Sequence, residues 1–137
     1  MKTFFLIIFI NFIFVISSFA SEYAIISNKK MKTLSKTQIK AIFLKKITII
    51  DDLKIIPINL DARDSLRLKF EKKILNMNFN RLKSYWTKQH YLGHRPPISM
   101  KSQDSIKAFV KKVDGAIGYI EIKNLDDNLK IIYRWRD

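Results

Sequence analysis

Apolar residues along this chain fall into short dense groups separated by polar breaks, and the spacing inside each group sorts it into strand or helix. Glu22 to Ser27 (EYAIIS) is a continuous apolar run of the length of a buried strand. After a polar connection over 28–32, Ser35 opens a helix with Gln38 three residues on as its capping-box partner. Ile39, Ile42 and Phe43 give that helix an apolar face, and Leu44 adds to its last turn. Ile47 to Ile50 is apolar and β-branched until Asp51 and Asp52 stop it. Lys54 to Leu60 (KIIPINL) predicts the next strand. Pro57 has no N–H for a ladder bond, so that strand is expected at a sheet edge or bent at the proline.

Asp61, Asp64 or Ser65 is placed to cap the following helix, in which Leu66, Phe70 and Ile74 recur every four residues. A break is expected over Asn76 to Asn78. Asn78 or Asn80 then opens a helix carrying Phe79, Leu82, Tyr85 and Trp86. Gly93 to Pro97 (GHRPP) reads as loop, because Pro97 keeps Pro96 out of the helical region. Ser102 or Asp104 caps a helix with Ile106, Phe109, Val110 and Val113, which Asp114 and Gly115 end. Ala116 to Ile122 and Leu129 to Trp135 are the last two strands, with a turn over 124–128. Helices between strands predict a small α/β layered domain with a short mixed sheet and about four helices.

The chain's first residues carry a different pattern. Lys2 precedes a run from Phe4 to Ile16 that only Asn11 interrupts, and Ser18-Phe19-Ala20 follows with small residues at its two ends. A charged start, an apolar core and a small-residue exit predict a secretory signal over 1–20, cleaved after Ala20. The alternative is a retained anchor, but a membrane span needs about 20 apolar residues. Export to the periplasm and a single domain over 21–137, without a stable membrane span, are the expectation.

That domain is basic. The chain has 26 Lys and Arg against 12 Asp and Glu; leaving out Lys2 gives 25 − 12 = +13 for residues 21–137. With no cysteine there is neither a disulfide nor a lipid-modified cysteine anchor. The lysines are spread along the chain rather than gathered in an arm, and an exported protein rarely meets nucleic acid, so no nucleic-acid partner is expected. Attraction to anionic small molecules, polymers or headgroups is the physical consequence of such a charge.

Four stretches match a known pattern: YAIISNKK at 23–30 with LSKTQIKAIFLKKIT at 34–48, KIIPINL with its following helix, YWTKQHYLGHRPP at 85–97, and DGAIGYI at 114–120. Together they resemble the short exported proteins related to the phosphate-binding proteins of ABC transporters. Full-length members of that type II periplasmic binding fold have two α/β lobes that close on an anion. This chain resembles one lobe, the second. In the stretch 34–48, Lys45 stands where the resemblance implies a glycine. The resemblance also implies an arginine and a serine-glycine-threonine turn at a helix start. Arg63 and Ser65 match it within Arg63-Asp64-Ser65-Leu66-Arg67, and the glycine-threonine part is absent.

The start of the helix near Ser65 is accordingly the best anion site in the chain, since free N–H groups and the helix dipole point there. Ser65 adds a hydroxyl, and Arg63 and Arg67 offer charge-assisted bonds. Asp61 and Asp64 oppose an anion in the same segment. Arg95, in a loop that the resemblance implies lies near the cleft mouth, is a fourth ligand candidate. Gly115 and Gly118 are structural turn candidates, Gly115 for a left-handed position after a helix and Gly118 for close approach of backbone or ligand. His90 and His94, four apart with no intervening glutamate, do not make a zinc signature. No nucleophile, base and acid are selected by any pattern, so no catalytic residue, metal or cofactor is expected.

Three functions compete. A non-catalytic solute-binding-like domain would take phosphate or another oxyanion. An interaction module would instead use apolar surface around Ile117, Tyr119 and Trp135 to form a homodimer or bind an envelope protein. A basic module would bind anionic lipid or polysaccharide.

Overall fold

The computed structural model describes residues 21–137, so the expected signal segment lies outside the described residues. The elements are strand β1 (Glu22–Ser27), helix α1 (Lys36–Phe43), and strands β2 (Ile49–Ile50), β3 (Leu53–Lys54) and β4 (Ile56–Leu60). Then come α2 (Ser65–Phe70), extended by a π-helical turn over Glu71–Leu75, α3 (Phe79–Tyr91), β5 (Ile98–Met100), α4 (Gln103–Lys112), β6 (Ala116–Glu121) and β7 (Lys130–Arg136). Five strands form one mixed sheet in the order β5-β4-β6-β1-β7. β4 runs parallel to β5 and β6, while β1 is antiparallel to β6 and β7.

The caps explain where the helices start. Ser35 Oγ accepts from the Gln38 N–H while Gln38 Oε1 accepts from the Ser35 N–H, closing the expected box. Asp64, Asn78 and Ser102 cap α2, α3 and α4 through their side chains. Asn76 ends the π-helical turn in a left-handed conformation, a state asparagine tolerates.

The strand expected over 54–60 is divided. Asp51 and Asp52 do not merely stop a run: both adopt positive φ and form the two-residue turn of a β2–β3 hairpin. Ile55 adds one more bond in the hairpin's register, donating to the Thr48 carbonyl, and β4 begins only at Ile56. Nor does β4 lie at an edge, as Pro57 suggested. The Ile56 N–H points to β6, donating to Gly115, so the Pro57 nitrogen faces the other side. There β5 pairs only from Ile58 onward. A proline is tolerated because its missing donor falls beyond the end of the short neighbouring strand.

Both sheet faces are covered. On β6, Gly118 and Tyr119 point to opposite faces by strand alternation. Gly118 lies mid-strand rather than in a turn, and a Cβ there would collide with Ile106 of α4, so its close neighbour is a packed helix. On the other face Tyr119 stacks on Phe70 of α2 with centroids 4.1 Å apart, and Phe43 of α1 meets Phe70 edge-on at 4.6 Å. Trp135 packs tilted against Tyr23. Ile117, Tyr119 and Trp135 are therefore buried in the core. The surface sketched for an interaction module does not exist at these residues, because helices occupy the faces that a bare strand pattern leaves open.

Candidate functional site

Because β4, β5 and β6 are mutually aligned, their carboxyl ends gather at one end of the sheet. In open α/β sheets that end is where helix starts and connecting loops present ligand-binding groups. Leu60 pairs with Met100, so Asp61 and Lys101 are the first residues beyond the paired strands. Asp61 leads into α2 and Lys101 into α4.

The β4–α2 connection is held from behind by a buried polar set. The Tyr119 hydroxyl donates to Asn59 Oδ1 at 3.0 Å and accepts from the Leu60 N–H at 3.1 Å. Burial pushes the Tyr119 phenol well above the ordinary tyrosine range, so it is always a donor near neutral pH. The Leu60 carbonyl in turn accepts from Arg67 Nη1 at 2.9 Å. Both backbone groups of Leu60 are thus satisfied by side chains, which fixes the exit of the chain from the sheet.

Arg67 is consequently an internal brace. Its Nε also lies 3.1 Å from Glu71 Oε1 across one helical turn, and the two side chains are 17% and 14% exposed. Burial raises the Glu71 carboxyl, and the Arg67 charge opposes that shift. Asp64 accepts from the Leu66 N–H at 2.8 Å and its own N–H donates to Asp61 O at 2.9 Å. Of the residues named from sequence here, Asp61, Arg63 and Ser65 remain exposed, with Ser65 the first residue of α2.

Arg95 is not part of this cluster. Parallel pairing of Ile58 with Ile98 puts the residues before β5 beside the residues before β4. Arg95 therefore stands at the amino end of the strand pair, and Arg63 beyond its carboxyl end. Sequence reasoning instead missed Lys101, which is exposed at the same end as Arg63 and Ser65. Only the β4–β5 register identifies it.

Gly115 has φ of +85° and follows α4, where its carbonyl accepts from the Ile56 N–H at 2.8 Å. It positions the start of β6 against β4 and lies far along β6 from the carboxyl-end cluster. Among the described residues no group of three His, Cys, Asp or Glu side chains is placed to hold a metal ion. No helix there is long and apolar enough to cross a membrane.

No family model and no curated protein matches this chain. Solved structures do. An ABC-type phosphate transport receptor from Vibrio cholerae matches with a TM-score of 0.65 at 20% identity, over 82% of this chain and 45% of its own. A Clostridium perfringens protein described as a phosphate ABC transporter substrate-binding protein, solved with bound phosphate, matches with a TM-score of 0.66 at 23% identity, over 82% and 45%. PstS from Borrelia burgdorferi matches with a TM-score of 0.56 at 21% identity, over 75% and 42%. At these identities the likeness is one of fold. The chain spans less than half the length of these three structures.

Proposed function

We propose that this protein is an exported, non-catalytic solute-binding domain that takes phosphate or a similar oxyanion at the carboxyl ends of β4 and β5. Arg63 and Ser65 are the ligand groups on the β4–α2 connection, and Lys101 adds charge from the β5–α4 connection. The observation that carries the reading is the exposed arginine and hydroxyl at the start of α2, on a segment whose exit from the sheet is braced by Tyr119 and Arg67. A braced loop presents its N–H and cationic groups without an ordering cost at the moment of binding. The fold shared with phosphate-binding structures supports it. Asp64 does not oppose the anion as strongly as its charge suggests, because its carboxylate is engaged in capping α2. Arg67 acts by holding Leu60, and no ligand contact is assigned to it or to Arg95.

The test is calorimetric titration with phosphate and sulfate at two salt concentrations. Saturable heat is expected from the wild type, and Arg63→Ala should weaken binding about tenfold or more, the loss of one charge-assisted hydrogen bond. Absence of heat and of any thermal stabilisation with both anions would overturn the reading.

A further inference from the structure

Between Glu71 and Asp104 the sequence carries seven Lys and Arg and no acid. Two of these cations, Arg81 and Lys88, stand two turns apart on α3 and line a groove of about 340 Å³. Its other wall is formed by Lys40 of α1 and by Lys46 just beyond that helix. Ser84 places a hydroxyl between the two α3 cations. Tyr85 fixes the join between the helices, since its hydroxyl donates to the Leu44 carbonyl at 2.6 Å. Lys46 Nζ lies 5.9 Å from the Tyr85 ring centroid.

Among the described residues none of Lys40, Lys46, Arg81 and Lys88 forms an ion pair with a carboxylate, although cations elsewhere in the chain do. Four like charges around one small groove repel one another, and among the described residues no carboxylate pairs with any of them. The helix that brings two of them there is lightly held: Leu82 is its one buried residue. A multivalent anion in the groove would relieve the repulsion and tie α3 to α1 in a single event. Arg81 offers the planar fork that suits phosphate oxygens, and the lysines act as point charges.

We propose that the groove between α1 and α3 binds an anion bearing a phosphomonoester or pyrophosphate group, free or carried on a lipid headgroup. The site is separate from the carboxyl-end cluster and its test does not depend on that cluster. The probe is inorganic pyrophosphate, with sodium chloride at matched ionic strength as the reference and the melting temperature of the purified protein as the readout. Pyrophosphate should raise the melting temperature by about 5 °C more than the chloride reference does. Measured in the Arg63→Ala background, where the carboxyl-end cluster is disabled, the gain should disappear when Lys40→Gln/Arg81→Gln is added and persist when Lys29→Gln/Lys112→Gln, a pair with the same change of charge elsewhere, is added instead. No gain over chloride, or a gain that survives Lys40→Gln/Arg81→Gln, would overturn the proposal. Co-sedimentation with phosphatidic acid vesicles, against phosphatidylcholine vesicles, then separates the sources. Vesicle binding lost in the groove variant assigns a lipid headgroup, and pyrophosphate stabilisation without it assigns a soluble anion.

Discussion

Lys45 follows the end of α1 with φ of +60°. Its N–H donates to the Ile42 carbonyl and the Lys46 N–H to the Ala41 carbonyl, the paired bonds of a Schellman ending in which the left-handed position usually belongs to glycine. The resemblance noted from sequence implies a glycine here, and the backbone shows why one suits the position. Lys45→Gly should therefore raise unfolding stability by about 1 kcal/mol, the order of the left-handed penalty for a residue with a Cβ. Urea denaturation checks this, and a loss of stability would mean that the lysine side chain contributes more than its backbone costs. At the same scale, Arg63 and Ser65 were legible as site candidates because they sit at a helix start. Arg67 was not legible as a brace, since its partners Leu60 and Glu71 meet it only once β4, the turn and the π-helical segment are in place.

At the scale of elements, helix starts were readable because a cap is a local chemical event within four residues. Ser35, Asp64, Asn78 and Ser102 all perform it. Strand limits were less readable. The break at Ile55 and the interior place of β4 depend on which strand lies alongside, and a proline pattern alone cannot say that. Gly115 and Gly118 make the same distinction. Both need to be glycine, but Gly115 answers to a positive φ and to the Lys54 carbonyl oxygen, while Gly118 answers to the Ile106 side chain. Gly115→Ala should cost about 3 kcal/mol or more, combining left-handed strain with a clash against backbone that cannot rotate away. Gly118→Ala should cost less, because a side chain and a helix are able to shift. Chemical denaturation of the two variants side by side measures the difference, and equal losses would contradict this assignment of causes.

Across the whole molecule, the dominant electrostatic fact is a formal charge of +14 on 137 residues. Among the described residues all but one of the ion pairs have at least one exposed partner, and those exposed on both sides, such as Lys30 with Asp114 and Lys32 with Asp51, contribute little. Net self-repulsion should outweigh them, so raising sodium chloride from about 10 to 150 mM, which shortens the screening length to about 8 Å, should raise the melting temperature. A fall with salt would show that the pairs prevail. Composition and charge follow from which residues are present, while helix starts and the α/β class follow from their order along the chain, because caps and hydrophobic periodicity depend on residues within a few positions of one another. Which strands align, that Ile117, Tyr119 and Trp135 are covered, that Lys101 joins Arg63 while Arg95 does not, and that α3 brings Arg81 and Lys88 against Lys40 and Lys46 were decided by tertiary structure alone. Each of these depends on contacts between residues far apart in sequence, fixed by strand register and helix packing rather than by any local preference.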